Sequence, residues 1–241
     1  MRDDLLRRLE RDGFCVLDRY LGEKTVHDVT AAFEQLDSAP NGSEDPPSGV
    51  REKRGVRFAR RNLLSIAFIQ EFIAGQQVVS LLDRVCPGAV AVRAILFDKT
   101  GDANWTVPWH QDRSIAVAER IDVPRFGPWS QKAGVAHVQP PVEILKDMTT
   151  FRFSLDPCGP DNGPLRTIAA THRTILSASE VEEAVKAGCE SICATEAGGV
   201  VIMRPLVLHA SSPARSAGHR RVLHVEMGPP DLPGGLAWAK V

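Results

Sequence analysis

Apolar positions change their rhythm near residue 88. Before it they recur at helical spacing. Leu5, Leu6 and Leu9 share one side of a short helical pattern that Asp12-Gly13 breaks, and "FCVLDRY" then reads as a strand. In "EKTVHDVTAAFEQL" (23–36), Val26, Val29, Ala32, Phe33 and Leu36 form an apolar stripe. Residues 62–84 read as one or two helices halted by Cys86-Pro87-Gly88. The intervening "DSAPNGSEDPPSGVREKRG" (37–55) is rich in Pro, Gly, Ser and charge, and with little apolar surface to bury it reads as a mobile surface loop.

Beyond residue 88 the runs shorten and turn β-rich: "AVRAILFDK", "WTVPWHQDRSIAV", "TTFRFSLD", "GVVIMRPLVLHAS" and "RRVLHVEM", separated by Gly, Pro, Asn and Asp. Residues 118–148 hold Pro124, Pro128, Pro140, Pro141 and Trp129 with little periodicity, and a loop of that length reads as a lid or specificity segment. Asn162-Gly163 reads as a hairpin turn with positive φ, Pro164 starting the next strand. No repeat or linker divides the chain. The expectation is one α+β, mainly β domain over 1–241: a helical buttress at 1–88 and a sandwich or barrel core at 89–230 that carries 118–148 as an insert.

Composition narrows the partners. A formal net charge of −1 over 241 residues gives no sign of a nucleic acid or an anionic membrane as partner. The five cysteines are odd in number, and Cys189-x₃-Cys193 lacks the second pair a zinc site needs, so reduced thiols are expected. With no signal-type N-terminus and no run of membrane-spanning length, the expected location is the cytoplasm. The ending "AWAKV" does not read as a peroxisomal address.

The candidate chemistry begins at "NWTVPWHQD". Residues two apart on a strand share a face, so His110 and Asp112 converge while Gln111 points away. His209, closing "GGVVIMRPLVLHAS", is the candidate third ligand, and two histidines with one carboxylate describe the facial triad of non-haem iron(II) oxygenases. An H-x-D pair by itself is far more often an ordinary polar patch. His27, His137, His172 and His219 have no such company, and Trp105 and Trp109 read as packing residues.

The blocks "FDK…NWTVPWHQD", "DNGPLRTIAATHR" and "RPLVLHASSPA…HRRVLHVEM" resemble the successive signatures of the phytanoyl-CoA dioxygenase family, in order, between about residue 11 and about residue 228. The resemblance implies a double-stranded β-helix, a cupin-like jelly roll flanked by N-terminal helices. It implies iron(II), with 2-oxoglutarate and O₂ as cosubstrates. Residue by residue, it makes His110, Asp112 and His209 the metal ligands and the catalytic centre, and places the cosubstrate arginine at Arg220, eleven positions past His209. A guanidinium fork grips a carboxylate with two charge-assisted hydrogen bonds, and Ser211 is the hydroxyl placed to assist. Arg221 competes. Strand alternation sets Arg220, Val222, His224 and Glu226 against Arg221, Leu223, Val225 and Met227, and the polar set suits an anion-holding lumen.

Alternation also groups Arg93, Ile95, Phe97 and Lys99, and separately Thr150, Arg152 and Ser154. Arg93, Lys99, Asn104, Trp129, Gln139 and Arg152 are therefore candidates to contact cosubstrate or substrate, and a cationic cluster among them would favour an anionic or carbonyl-rich substrate. The implied activity is hydroxylation, or a related oxidation such as desaturation or ring formation, at an unactivated C–H of a small molecule in secondary metabolism. Asp112 sets the chain apart from the related halogenases, which lack this carboxylate. Two other classes stay open at this stage: a zinc or manganese isomerase or hydrolase on a jelly roll, and a non-catalytic small-molecule-binding barrel.

Overall fold

The computed structural model describes residues 2–38, 51–53, 56–101, 104–215 and 218–241, so most of the 37–55 segment lies outside it. The chain opens with α1 (Arg2–Asp12), β1 (Phe14–Leu17) and α2 (Glu23–Ser38), followed by β2 (Arg51–Lys53) and β3 (Val56–Arg60). Helices α3 (Ala67–Ala74) and α4 (Gln76–Val85) come next, split at Gly75. The β-rich part holds β4 (Val90–Lys99), β5 (Val107–His110), β6 (Ile115–Val117), β7 (Trp129–Lys132) and β8 (Val135–Val138). After α5 (Val142–Asp147) come β9 (Thr149–Ser154), β10 (Leu165–Ile168), α6 (Ala178–Ala187), β11 (Glu190–Cys193), β12 (Val200–Met203), β13 (Leu208–Ser211) and β14 (Arg220–Gly228).

Two antiparallel sheets make the body. The larger runs β1-β12-β9-β14-β4-β3-β2 and the smaller β11-β10-β13-β5. From β4 onward the chain passes repeatedly from one to the other, giving a double-stranded β-helix. The pleat sorts the chemistry of the larger sheet. Ala94, Leu96, Phe151, Phe153, Leu223, Val225 and Met227 pack against Leu5, Leu9, Phe33, Phe72 and Leu81 of the helices. Phe72 meets Phe153 edge to face at 5.0 Å, a geometry that adds to the burial of both rings. The opposite parity, including Arg93, Lys99, Arg152, Arg220, His224 and Glu226, looks inward.

Three runs break where the pattern suggested continuity. "WTVPWHQDRSIAV" is two strands, because Asp112 leaves the ladder and its N–H binds Pro205 O at 2.9 Å. "GVVIMRPLVLHAS" crosses between sheets through a turn closed by Val207 N–H to Arg204 O, so His209 lies on a separate strand. Gly163 has the expected positive φ, +61°, and a Cβ there would sit 2.5 Å from Ser212 O. The connection is not a hairpin, however, because β9 and β10 belong to different sheets. Residues 118–148 are more ordered than their composition suggests. β7 and β8 join β6 in a three-stranded sheet over a second apolar cluster around Ile115, Val138, Leu145 and Trp238. Helix α6, which half-buries Val181, Ala184 and Val185 on one side, starts at a capping box in which Ser177 and Glu180 satisfy each other's backbone N–H. No helix among the described residues is long and apolar enough to cross a membrane.

Gln111 fastens these parts together. Its Nε2 lies within 2.7–3.1 Å of the carbonyls of Thr171, Thr174 and Leu206, and its Oε1 accepts from Leu176 N–H at 2.8 Å. A leucine of similar size would strand those backbone groups in a buried place. Gln111→Leu is expected to lower stability by about 2–4 kcal/mol in urea titrations; a change below about 0.5 kcal/mol would show that the contacts carry no weight.

Candidate active site

His110 ends β5, Asp112 follows it, and His209 sits opposite His110 on β13 in direct cross-strand register. Their ligating atoms lie within 4.8 Å of one another, the one such group of three that would hold a metal ion among the described residues. Asp112 Oδ1 is 3.7 Å from His110 Nε2, and Oδ2 is 3.6 Å from His209 Nε2. Each ring is aimed the same way. His110 Nδ1 meets Pro108 O at 2.9 Å and His209 Nδ1 meets Val207 O at 2.8 Å. A ring that donates from Nδ1 keeps the Nε2 lone pair free, so both present a donor atom to one shared space. Burial pushes His209 down to about 4, which keeps it neutral at pH 7. For Asp112 burial opposes the charge, yet the imidazoles of His209 and His110 bring it to about 2. Two imidazoles and a carboxylate on one side of an open space are a donor set that fits iron(II).

These three face a cavity of about 860 Å³ between the sheets. At one end lie Lys99, Ser211 and Arg220, with Lys99 and Arg220 paired across β4 and β14. Arg220 is 2% exposed and its Nε has no partner. Lys99 is completely buried and donates to Ser211 Oγ at 3.0 Å and Ser212 O at 2.6 Å. Burial, followed by the charges of Arg220 and Arg152, pushes Lys99 down to about 7. A buried guanidinium with an unused N–H beside a destabilised ammonium describes a seat for an anion.

Arg221 has other work. Its fork grips Asp156 at 2.8 Å through both Nε and Nη2, and Nη1 reaches Glu34 of α2 at 2.9 Å. It braces the outer face and does not enter the cavity.

The remaining candidates divide. Arg93, Lys99 and Arg152 line the cavity. Asn104, Trp129 and Gln139 do not. Asn104 exchanges two hydrogen bonds with the backbone of Ala214. Trp129 lies 5.4 Å from the Arg120 guanidinium and packs on the second apolar cluster. Gln139 is engaged through its backbone with Gly127 and Pro128. Trp105, read as packing, lines the cavity with Lys99 Nζ 5.2 Å from its ring centre. It precedes β5, where strand alternation does not govern direction. Within 118–148, the part that reaches the cavity is the β7–β8 tip, Gln131 to Ala133. His224 and Glu226, grouped with Arg220 by the alternation of β14 but given no contact of their own, also line the cavity.

Comparison with known proteins adds to this geometry. A family profile described as Phytanoyl-CoA dioxygenase (PhyH) matches residues 9–222. AviO1 from Streptomyces viridochromogenes Tue57 superposes with a TM-score of 0.69 at 22% identity, covering 97% of each chain. SnoK, a non-heme alpha-ketoglutarate-dependent carbocyclase from nogalamycin biosynthesis, gives 0.70 at 13% identity over 95% of this chain and 84% of its own. EctD from S. alaskensis, solved with 2-oxoglutarate and 5-hydroxyectoine, gives 0.71 at 14% identity over 93% and 74%. No protein of curated function matches the sequence. At such identities the structural likeness establishes the fold.

Two measurements separate the roles of the charged residues. Arg220→Gln is expected to weaken 2-oxoglutarate binding at least tenfold, whereas Arg221→Gln should cost about 1–3 kcal/mol of stability and spare that binding. The opposite pattern would exchange their roles. The second is a pH test. An unfolded lysine holds its proton to about 10.4, so between about 7 and that value the unfolded chain binds the extra proton and stability rises with pH. The penalty of the buried ammonium is thus complete below about 7 and fades above it. Lys99→Met should flatten the curve by roughly 1–3 kcal/mol between pH 7 and 9 in urea titrations; curves that stay parallel would refute the assignment.

Proposed function

Because the chain belongs to the phytanoyl-CoA dioxygenase family, whose members work with iron(II) and 2-oxoglutarate, we propose that it oxidises an unactivated C–H bond of a small molecule with O₂. One observation carries the reading. A single cavity holds both a set of two imidazoles and a carboxylate and a buried arginine whose Nε has no partner, the residue we assign to the far carboxylate of a chelating 2-oxo acid.

His110, Asp112 and His209 would hold the metal through one side and leave the other side to cosubstrate and O₂. Bound iron supplies the activation of O₂ that converts 2-oxoglutarate to succinate and CO₂ and delivers the second oxygen atom to the substrate. Arg220 and Lys99 fix the distal carboxylate, and Ser211 holds Lys99 in place. Trp105 and Phe97 line the wall beside that end. Asp112 keeps its place as a ligand, which favours hydroxylation over halogenation.

The setting we infer is the tailoring of small molecules. SnoK comes from nogalamycin biosynthesis, and EctD has been solved with 5-hydroxyectoine. A carbocyclase and an epimerase, SnoN, share this fold, so the placement of the substrate C–H decides between hydroxylation and its variants.

Succinate release and O₂ uptake by purified protein are expected to require both iron(II) and 2-oxoglutarate. Asp112→Ala should lower succinate formation by at least 100-fold, about 2.7 kcal/mol or more in barrier. Turnover supported by zinc or manganese without 2-oxoglutarate would overturn the reading.

A further inference from the structure

The residues assigned to metal and 2-oxoglutarate leave a second cationic wall unused. Cross-strand pairing sets His224 opposite Arg152 on β9 and Glu226 opposite Arg93 on β4. The four side chains are linked in series. Arg152 Nη1 donates to His224 Nδ1 at 3.0 Å, so the imidazole carries its proton on Nε2, 3.3 Å from Glu226 Oε1. That same oxygen accepts from Arg93 Nη1 at 3.1 Å. All four line the cavity, and Lys132 joins them from the β7–β8 tip.

This wall brings three cations to one carboxylate and a neutral imidazole. Iron(II) and 2-oxoglutarate, a dication and a dianion, cancel each other, so loading them leaves the excess positive charge in place. Arg93 is paired with Glu226 and Lys132 is exposed, but Arg152 is bonded only to a neutral imidazole along this chain; a secluded charge without a close counter-charge is unfavourable, and a cavity built this way gains most from an anion. Arg152 is best placed to receive it. His224 fixes one end of its guanidinium, its Cζ lies 5.7 Å from the Phe97 ring centre, and a planar fork held in one orientation suits two oxygens of one group.

We propose that the substrate carries an oxyanion, a carboxylate or a phosphate, which docks against Arg152, Arg93 and Lys132 while its oxidised carbon faces the His110–Asp112–His209 centre. This rests on the oxygenase reading and names its substrate class. Glu226 then acts as a positioning residue, restraining Arg93 directly and Arg152 through His224.

The test titrates protein loaded anaerobically with iron(II) and 2-oxoglutarate with three probes of similar size: phenyl phosphate, phenylacetate and benzyl alcohol. At least one anion should bind saturably and at least tenfold more tightly than benzyl alcohol. The stronger of the two anions names the source of the oxyanion. Arg152→Gln and Lys132→Gln should each lose fivefold or more for that anion and keep 2-oxoglutarate bound. Lys132 lies at a hairpin tip, so its variant remains informative if Arg152→Gln fails to fold. Equal binding of benzyl alcohol, unchanged affinity in the variants, or release of 2-oxoglutarate by the anion would overturn the proposal, the last because it places the anion on Lys99 and Arg220. Iron and 2-oxoglutarate binding are read in the same samples. If neither binds, the oxygenase reading fails by itself, and the same titration of metal-free protein decides whether this wall takes an anion.

Discussion

Along β14, Arg220, His224 and Glu226 point into the cavity while Leu223, Val225 and Met227 press on the helices, and a pleated strand offers no third direction. The neighbours β4 and β9 obey the same parity, so three adjacent strands present a charged floor on one side and an apolar layer on the other. The helices matter to the site for this reason. They cover the apolar side and thereby fix the register that turns every charged residue inward, since a slip of one residue would reverse both faces.

That arrangement places like charges close together in a region poor in water. Lys99, Arg152 and Arg220 all have their charge disfavoured by burial, and each is made worse off by at least one of the others or by its seclusion. Arg221, one position from Arg220, shows the contrast. Its hydrogen bonds to Asp156 raise its pKa, because here the counter-charge is supplied by the protein itself. Saturated on the outside and unsatisfied on the inside, the two arginines divide stability from binding within a single dipeptide.

The parity of β4, β9 and β14 was legible in the sequence because alternation survives wherever a strand is long and half its residues are apolar. His110, Asp112 and His209 were legible as residue types at suggestive spacing. The paths of their strands were not. The Asp112 N–H bond to Pro205 O ends β5 early, and the corner at Arg204–Val207 carries only Arg204-Pro205 as its mark within an otherwise apolar run. Asn104, Trp129 and Gln139 were misplaced for a related reason. Each lies outside a regular strand or at its end, where direction follows contacts made by distant segments. Helix α6 buries no residue fully, and its stripe of Val181, Ala184 and Val185 is short. Its capping box, Ser177-x-x-Glu180, was the readable signal.

The direct register of His110 with His209 also has a mechanical side. β5 is the edge of the smaller sheet and, among the described residues, pairs with β13 alone. An ion bound to both histidines would rivet that edge strand to its neighbour and close a long excursion of chain between them, restricting the unfolded ensemble much as a cross-link does. The site's readiness for chemistry and the resistance of the barrel's rim to fraying would then have the same origin. Stripping the ion would show first as amide exchange and proteolytic nicking along β5, while the helix-backed sheet on the far side keeps its protection.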